Sequence, residues 1–145
     1  MPRVEREALI RAPPERVFEL VSRPSERARW LTTFKEAPGP EHLALGARIQ
    51  AKRNDPASRS SYEILVTALD APHRFATEIR RNGEPAARGG FEITPRPDGA
   101  KVRGWAEFEL KGLQRMLLPL VTANTEKGLE ADLASLKRHA ESASK

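Results

Sequence analysis

Tyr62 has both the chemistry and the placement to act on a bound molecule. It opens a run in which Tyr62, Ile64 and Val66 alternate with Ser61, Glu63 and Thr67, so its phenol shares the apolar face of a strand. A phenol can donate or accept a hydrogen bond, and it moves protons only where its surroundings tune its pKa. Arg6 is the other ionisable residue in an apolar register, because Val4, Ala8 and Ile10 alternate with Glu5, Glu7 and Arg11 while Arg6 falls with the first set. At a strand start its stem is expected to carry the guanidinium out to water rather than to a partner inside. His42 lies in a loop, His73 in a turn and His139 in the last turns of a helix, all surface settings. No HExxH, GxSxG, phosphate loop or carboxylate pair at ligand spacing occurs. The absence of Cys removes disulfides, thiolate metal sites and a cysteine nucleophile. No catalytic residue, metal ligand or cofactor is therefore assigned.

The elements that position Tyr62 follow from periodicity. Val4 to Arg11 is a strand; Pro13-Pro14 ends it and pre-sets a helix over Pro14 to Ser22, with Val17, Leu20 and Val21 as its buried stripe and Phe18 beside it. Arg23-Pro24 breaks that helix, and a short one runs from Pro24 to Trp30. A short strand fits Thr32 to Ala37, followed by the loop PGPEH. Strands then recur over Ala47 to Arg53, Ser60 to Leu69, Arg74 to Arg81, Ala86 to Thr94 and Lys101 to Leu110. Between them stand the turns NDPAS, DAP, Asn82-Gly83 and Asp98-Gly99. Five strands on short turns make an antiparallel meander with one apolar and one charged face.

Gly112 to about Ala143 is the only segment long enough for a helix of many turns, and at ~1.5 Å per residue it must cross several strands. Its apolar residues change sides. Leu113, Met116, Leu117, Leu120 and Val121 share one face, and Leu129, Leu133, Leu136 and Ala140 fall nearly opposite. Pro119 and Gly128 lie near the changeover and are the candidates for a bend. The second half is expected to pack on the sheet and the first to lean over something else. Lys137, Arg138 and His139 suit the negative end of the helix dipole.

At 145 residues the chain is expected to be one domain, residues 1–145, with a single core. The net charge of +5 arises mostly in the first 60 residues, where 12 Lys and Arg face 8 Asp and Glu. Those charges are interleaved rather than clustered, so a solvated arginine-rich surface is expected and no nucleic-acid partner. There is no signal-peptide run and no membrane span, and a cytoplasmic location is the expectation.

The element order, with I-R-A-P-P-E-R-V-F-E-L near the start, Trp30 closing the second helix, Gly46 before a strand and G-L-Q-R-M-L-L-P-L…L-A-S-L-K at the end, resembles the START-like (SRPBCC) superfamily. The nearest likeness is to its small bacterial polyketide cyclase/dehydrase-like members. The resemblance implies an α+β helix-grip fold: a seven-stranded antiparallel curved sheet wraps the long C-terminal helix, two short helices stand between strands 1 and 2, and a cavity lies between helix and sheet. Relatives often place Asp before the proline of the second helix as an N-cap. Here Arg23 stands there, so that cap must come from Ser22 or from nothing.

With that fold the inward lining would be Ile49, Tyr62, Ile64, Val66, Phe75, Ile79, Phe91, Ile93, Val102, Phe108, Leu117, Leu120, Val121 and Asn124. Tyr62 and Asn124 would supply the few polar groups that orient a ligand in an apolar pocket. Ala47, Ala51, Ala87, Gly89, Gly104 and Ala106 share the inward register and leave space, which either accommodates a bulky helix face or holds a ligand. A ligand hiding ~300 Å² of apolar surface gains roughly 7 kcal/mol before association costs of ~4 or more, so modest affinity and broad selectivity are expected. Three functions fit: binding or carrying a small hydrophobic molecule (lipid, isoprenoid or aromatic polyketide-like), a cyclase or dehydratase using Tyr62, and a surface-mediated protein-interaction module. The oligomeric state is left open.

Overall fold

The computed structural model describes residues 2–37, 39–53 and 60–143. Seven strands form one sheet: β1 (Arg3–Ile10), β2 (Phe34–Glu36), β3 (Arg48–Arg53), β4 (Tyr62–Asp70), β5 (Arg74–Arg81), β6 (Glu84–Arg96) and β7 (Gly99–Phe108). Their order is β1-β7-β6-β5-β4-β3-β2, with every pair antiparallel. Between β1 and β2 lie α1 (Pro14–Ser22) and α2 (Pro24–Trp30), and α3 (Leu118–Ala143) closes the chain. This is the helix-grip arrangement. The NDPAS turn falls outside the described residues.

Local chemistry accounts for the joints. Asn82 and Gly83 have φ of 52° and 85°, the paired left-handed residues of the two-residue hairpin turn whose twist matches its strands. Register shifts between Val66 and Ala68 and between Ile79 and Arg80 are bulges of the kind that bend a sheet, and they help it curl. At α2 the residue before Pro24 is Arg23, with no side-chain cap; the Ser22 hydroxyl donates instead to the Phe18 carbonyl at 2.6 Å. The cap comes from nothing, and Pro24 in the first turn removes one of the donors it would have served.

The long final segment is not one continuous α-helix. Gly112–Leu117 is a 3₁₀ turn, and the α-helix starts at Leu118. Pro119 therefore sits in the first helical turn, where a missing N–H costs nothing, and it starts the helix rather than bending it.

The core lies between the sheet's inner face and the helices. Val17, Leu20 and Val21 of α1, Trp30 of α2, and Leu133, Leu136 and Ala140 of α3 pack with inward strand residues including Ile10, Ile64, Val66, Phe75 and Val102. Each such large side chain contributes about 1.5–3 kcal/mol on burial. Trp30 also donates its indole N–H to the Leu20 carbonyl at 2.6 Å, which joins α2 to α1.

The end of α3 is tied to β1. Glu141 accepts from Lys137 and, at 3.0 Å, from the Arg11 backbone N–H, and these two hold its carboxyl below the usual range. A carboxylate whose folded pKa is depressed stabilises the fold above its unfolded value of ~4.3, and that contribution is lost as pH falls through the folded value. Glu141→Gln should therefore be modestly less stable than wild type near pH 7 and nearly equal to it near pH 3. Urea midpoints at the two pH values check this, and an equal deficit at both would remove the ionic explanation.

Candidate functional site

The inner surface of the sheet has two unlike ends. Ile49, Ile64, Val66, Phe75, Phe91, Ile93 and Val102 are all buried, and Trp30 meets Phe91 edge-on at 5.7 Å where α1 and α2 close over the sheet. Toward the other end Tyr62 and Phe108 are buried, but Ile79, Ala87, Ala106 and Val121 are only half-buried. Leu117 and Leu120 are 52% and 59% exposed, and Asn124 is exposed. The space left by the small inward residues is partly filled by α3: a methyl on Gly104 would lie 2.7 Å from Leu129 Cδ1.

What holds α3 in place is polar, and most of it escaped the sequence reading. Arg6 reaches the surface as expected, with its side chain 37% exposed, and there it pairs with Glu126 and Glu130 of α3; its pKa is raised chiefly by the hydrogen bond to Glu130. Asp132 is buried and accepts from the Thr32 backbone N–H at 2.8 Å and from the hydroxyls of Thr32 and Thr33. Gly128 lets the same loop approach, since a methyl there would meet the Thr33 methyl at 3.1 Å. The available signals were Arg6 in an apolar register and Asp132 inside the Leu129, Leu133, Leu136 stripe.

A buried ion pair supports the wall beside Tyr62. Arg27 of α2 donates through Nε and Nη2 to the two oxygens of Glu36 in β2, each at 2.8 Å, and through Nη1 to the Val21 carbonyl at 2.8 Å. Adjacent Phe34 in β2 packs edge-on against Tyr62 at 5.4 Å. Nothing in the periodicity marked Arg27 as buried.

The first turns of α3 are largely exposed, Leu120 and Asn124 among them. Its backbone comes close to β1, β7, α1 and α2, and to none of β2, β3, β4, β5 or β6. Beside it the 3₁₀ turn exposes Leu113 and Met116 (84% and 78%). Tyr62 is buried at this end of the inner face, Arg53 and Arg81 of the same register are exposed, and among the described residues no hydrogen bond to the Tyr62 hydroxyl is present. His42 and His73 are exposed, and the His139 ring lies against the Ser135 carbonyl at 2.9 Å, far along α3. Such a surface can bind apolar molecules and orient them weakly; it has no general acid and base pair. Among the described residues no helix is long and apolar enough to cross a membrane.

Solved structures share this architecture at low identity. Protein CV1439 from Chromobacterium violaceum superposes with a TM-score of 0.76 at 16% identity, over 97% of this chain and 99% of that one. Protein Ms6760 from Mycobacterium smegmatis gives 0.74 at 14%, over 94% and 88%. The AHSA1-like protein from Aeromonas hydrophila gives 0.71 at 20%, over 99% and 94%. No curated protein matches the sequence. The family model described as polyketide cyclase / dehydrase and lipid transport matches residues 1–141, and the chain belongs to that family.

Proposed function

We propose that this protein binds and carries a small hydrophobic molecule between the first half of α3 and the inner face of the sheet, at the end lined by Tyr62, Ile79, Phe108 and Val121. The observation that carries this reading is an apolar inner face whose Ile79, Ala87 and Ala106 are incompletely covered, with Leu117, Leu120 and Asn124 of the final segment exposed. The Tyr62 phenol at this end is neutral, and the charged residues of the same register, Arg53 and Arg81, are exposed, so a polar or ionic ligand would find little there to replace its hydration. Ile49, Ile64, Val66, Phe75, Phe91, Ile93 and Val102 form its floor and closed end; Leu117, Leu120 and Asn124 stand at its mouth. The phenol, without a protein partner, is free to hydrogen-bond one polar group of the ligand.

Titration with an anilinonaphthalene fluorophore, followed by competition with fatty acids, isoprenols and aromatic polyketides, tests the reading. Saturable, displaceable binding is expected, and Ile79→Asp should abolish most of it by placing a charge on the wall. Absence of displaceable binding in the folded protein would overturn it. The catalytic alternative, cyclisation or dehydration, has one supporting observation, the unpartnered Tyr62 hydroxyl; it predicts that Tyr62→Phe binds ligand normally but turns nothing over.

A further inference from the structure

We propose that the outer face of the sheet carries a second site, separate from the inner one and opposite in chemistry, which binds a small organic dianion between Arg74 and Arg88. The register places Ala68, Ala76, Gly90 and Trp105 in one row across β4, β5, β6 and β7. Three of the four have no side chain beyond a methyl, so the row is a valley between taller charged rows. It cannot be raised at Gly90, where a Cβ would lie 2.4 Å from the Phe75 carbonyl oxygen. The resulting cleft holds about 520 Å³, within the range of small-molecule sites.

The cleft is lined by three arginines and three glutamates, equal in number but not paired one to one. Each glutamate is engaged: Glu107 with Arg3 at 2.8 Å, Glu92 with Arg103 at 3.6 Å and Glu78 with Arg80 at 3.8 Å. Two of those partners, Arg80 and Arg103, are not part of the cleft lining. Register sets Arg74 beside Asp70 and Glu92, and Arg88 beside Glu78 and Glu107. Yet among the described residues neither guanidinium of Arg74 and Arg88 makes a hydrogen bond or ion pair.

A third donor is also unmet. Trp105 is 9% exposed, and its indole Nε1 is buried with no acceptor, while the Trp30 Nε1 has one. Buried polar groups without partners are rare and call for an explanation. Arg3 roofs the indole at 4.5 Å. A cleft with two unpaired guanidinium groups, an unmet N–H and carboxylates each within 4 Å of another arginine suits an acceptor-rich anion. Guanidinium groups on opposite walls suit one with a carboxylate or phosphate at each end, each taken as a fork. A short flat body would rest on Ala76 and Gly90.

The test is calorimetric titration of the folded protein with terephthalate and with a hexose bisphosphate, against benzoate and chloride at matched ionic strength. The first two probes separate carboxylate from phosphate recognition. Saturable binding of at least one dianion is expected, with a change in tryptophan fluorescence. Arg74→Ala and Arg88→Ala, which remove no hydrogen bond or ion pair among the described residues, should each weaken it about ten-fold or more, as loss of a charge-assisted partner does; Arg96→Ala, outside the cleft, should not. A fluorophore held at the inner site should stay bound. No saturable dianion binding, equal weakening by Arg96→Ala, or displacement of the inner fluorophore would each overturn the second site. Since the probes and variants are on the other face of the sheet, that failure leaves the carrier reading standing, and failure of the fluorophore titration leaves this one standing.

Discussion

Arg27→Ala should cost about 3–5 kcal/mol of stability, the range for removing one partner of a buried ion pair. The Glu36 side chain is 3% exposed. Without Arg27 its carboxylate loses both 2.8 Å hydrogen bonds and the Val21 carbonyl loses its donor. The guanidinium also lies 5.3 Å from the Phe75 ring centroid, so the substitution removes packing as well as charge. The paired replacement Arg27→Met with Glu36→Leu should behave quite differently, falling within about 1 kcal/mol of wild type or above it, because apolar residues of similar volume avoid the desolvation of both ions. Urea denaturation of the two variants checks the pair. A loss below ~1 kcal/mol for Arg27→Ala would mean that water reaches Glu36 and that the pair does not lock α2 to β2.

The second large effect is expected at Gly104. Alanine there brings a methyl to 2.7 Å from Leu129 Cδ1 and 3.4 Å from Phe91 Cε1, so α3 or Leu129 must shift, at about 1–3 kcal/mol for overpacking. Leu129→Ala removes the obstacle. Combined with it, Gly104→Ala should cost much less than it does alone, a coupling that a double-mutant cycle measures directly. Because Leu129 of α3 packs against the core of the sheet, Gly104→Ala should change fluorophore affinity at the inner site. Additive stability losses would show that the two positions do not touch.

The two positions also mark how far the sequence could be read. Strand alternation, the Asn82-Gly83 turn and the proline-led helices are local signals, and they placed β1, α1, α2 and the β3 to β7 meander within a few residues. Gly104 was legible as small and inward, but whether its space was empty or filled depended on Leu129, 25 positions along the chain. The final segment was misread as one helix because hydrophobic spacing does not distinguish a 3₁₀ turn from the first turns of an α-helix when neither end is buried.

By itself, then, the sequence determined a curved antiparallel sheet with a mostly apolar inner register and helices to cover it, since period-two patterning and turn chemistry act between neighbours. The tertiary structure decided which polar residues meet across elements. Arg27 with Glu36, Arg6 with Glu126 and Glu130, and Asp132 with the Thr32–Thr33 loop each join residues from different elements. It also decided that the outer face has a low row beside Trp105, with Arg74 and Arg88 left over. A charge is costly or harmless according to what the fold brings within about 4 Å of it, and no spacing along the chain encodes that distance.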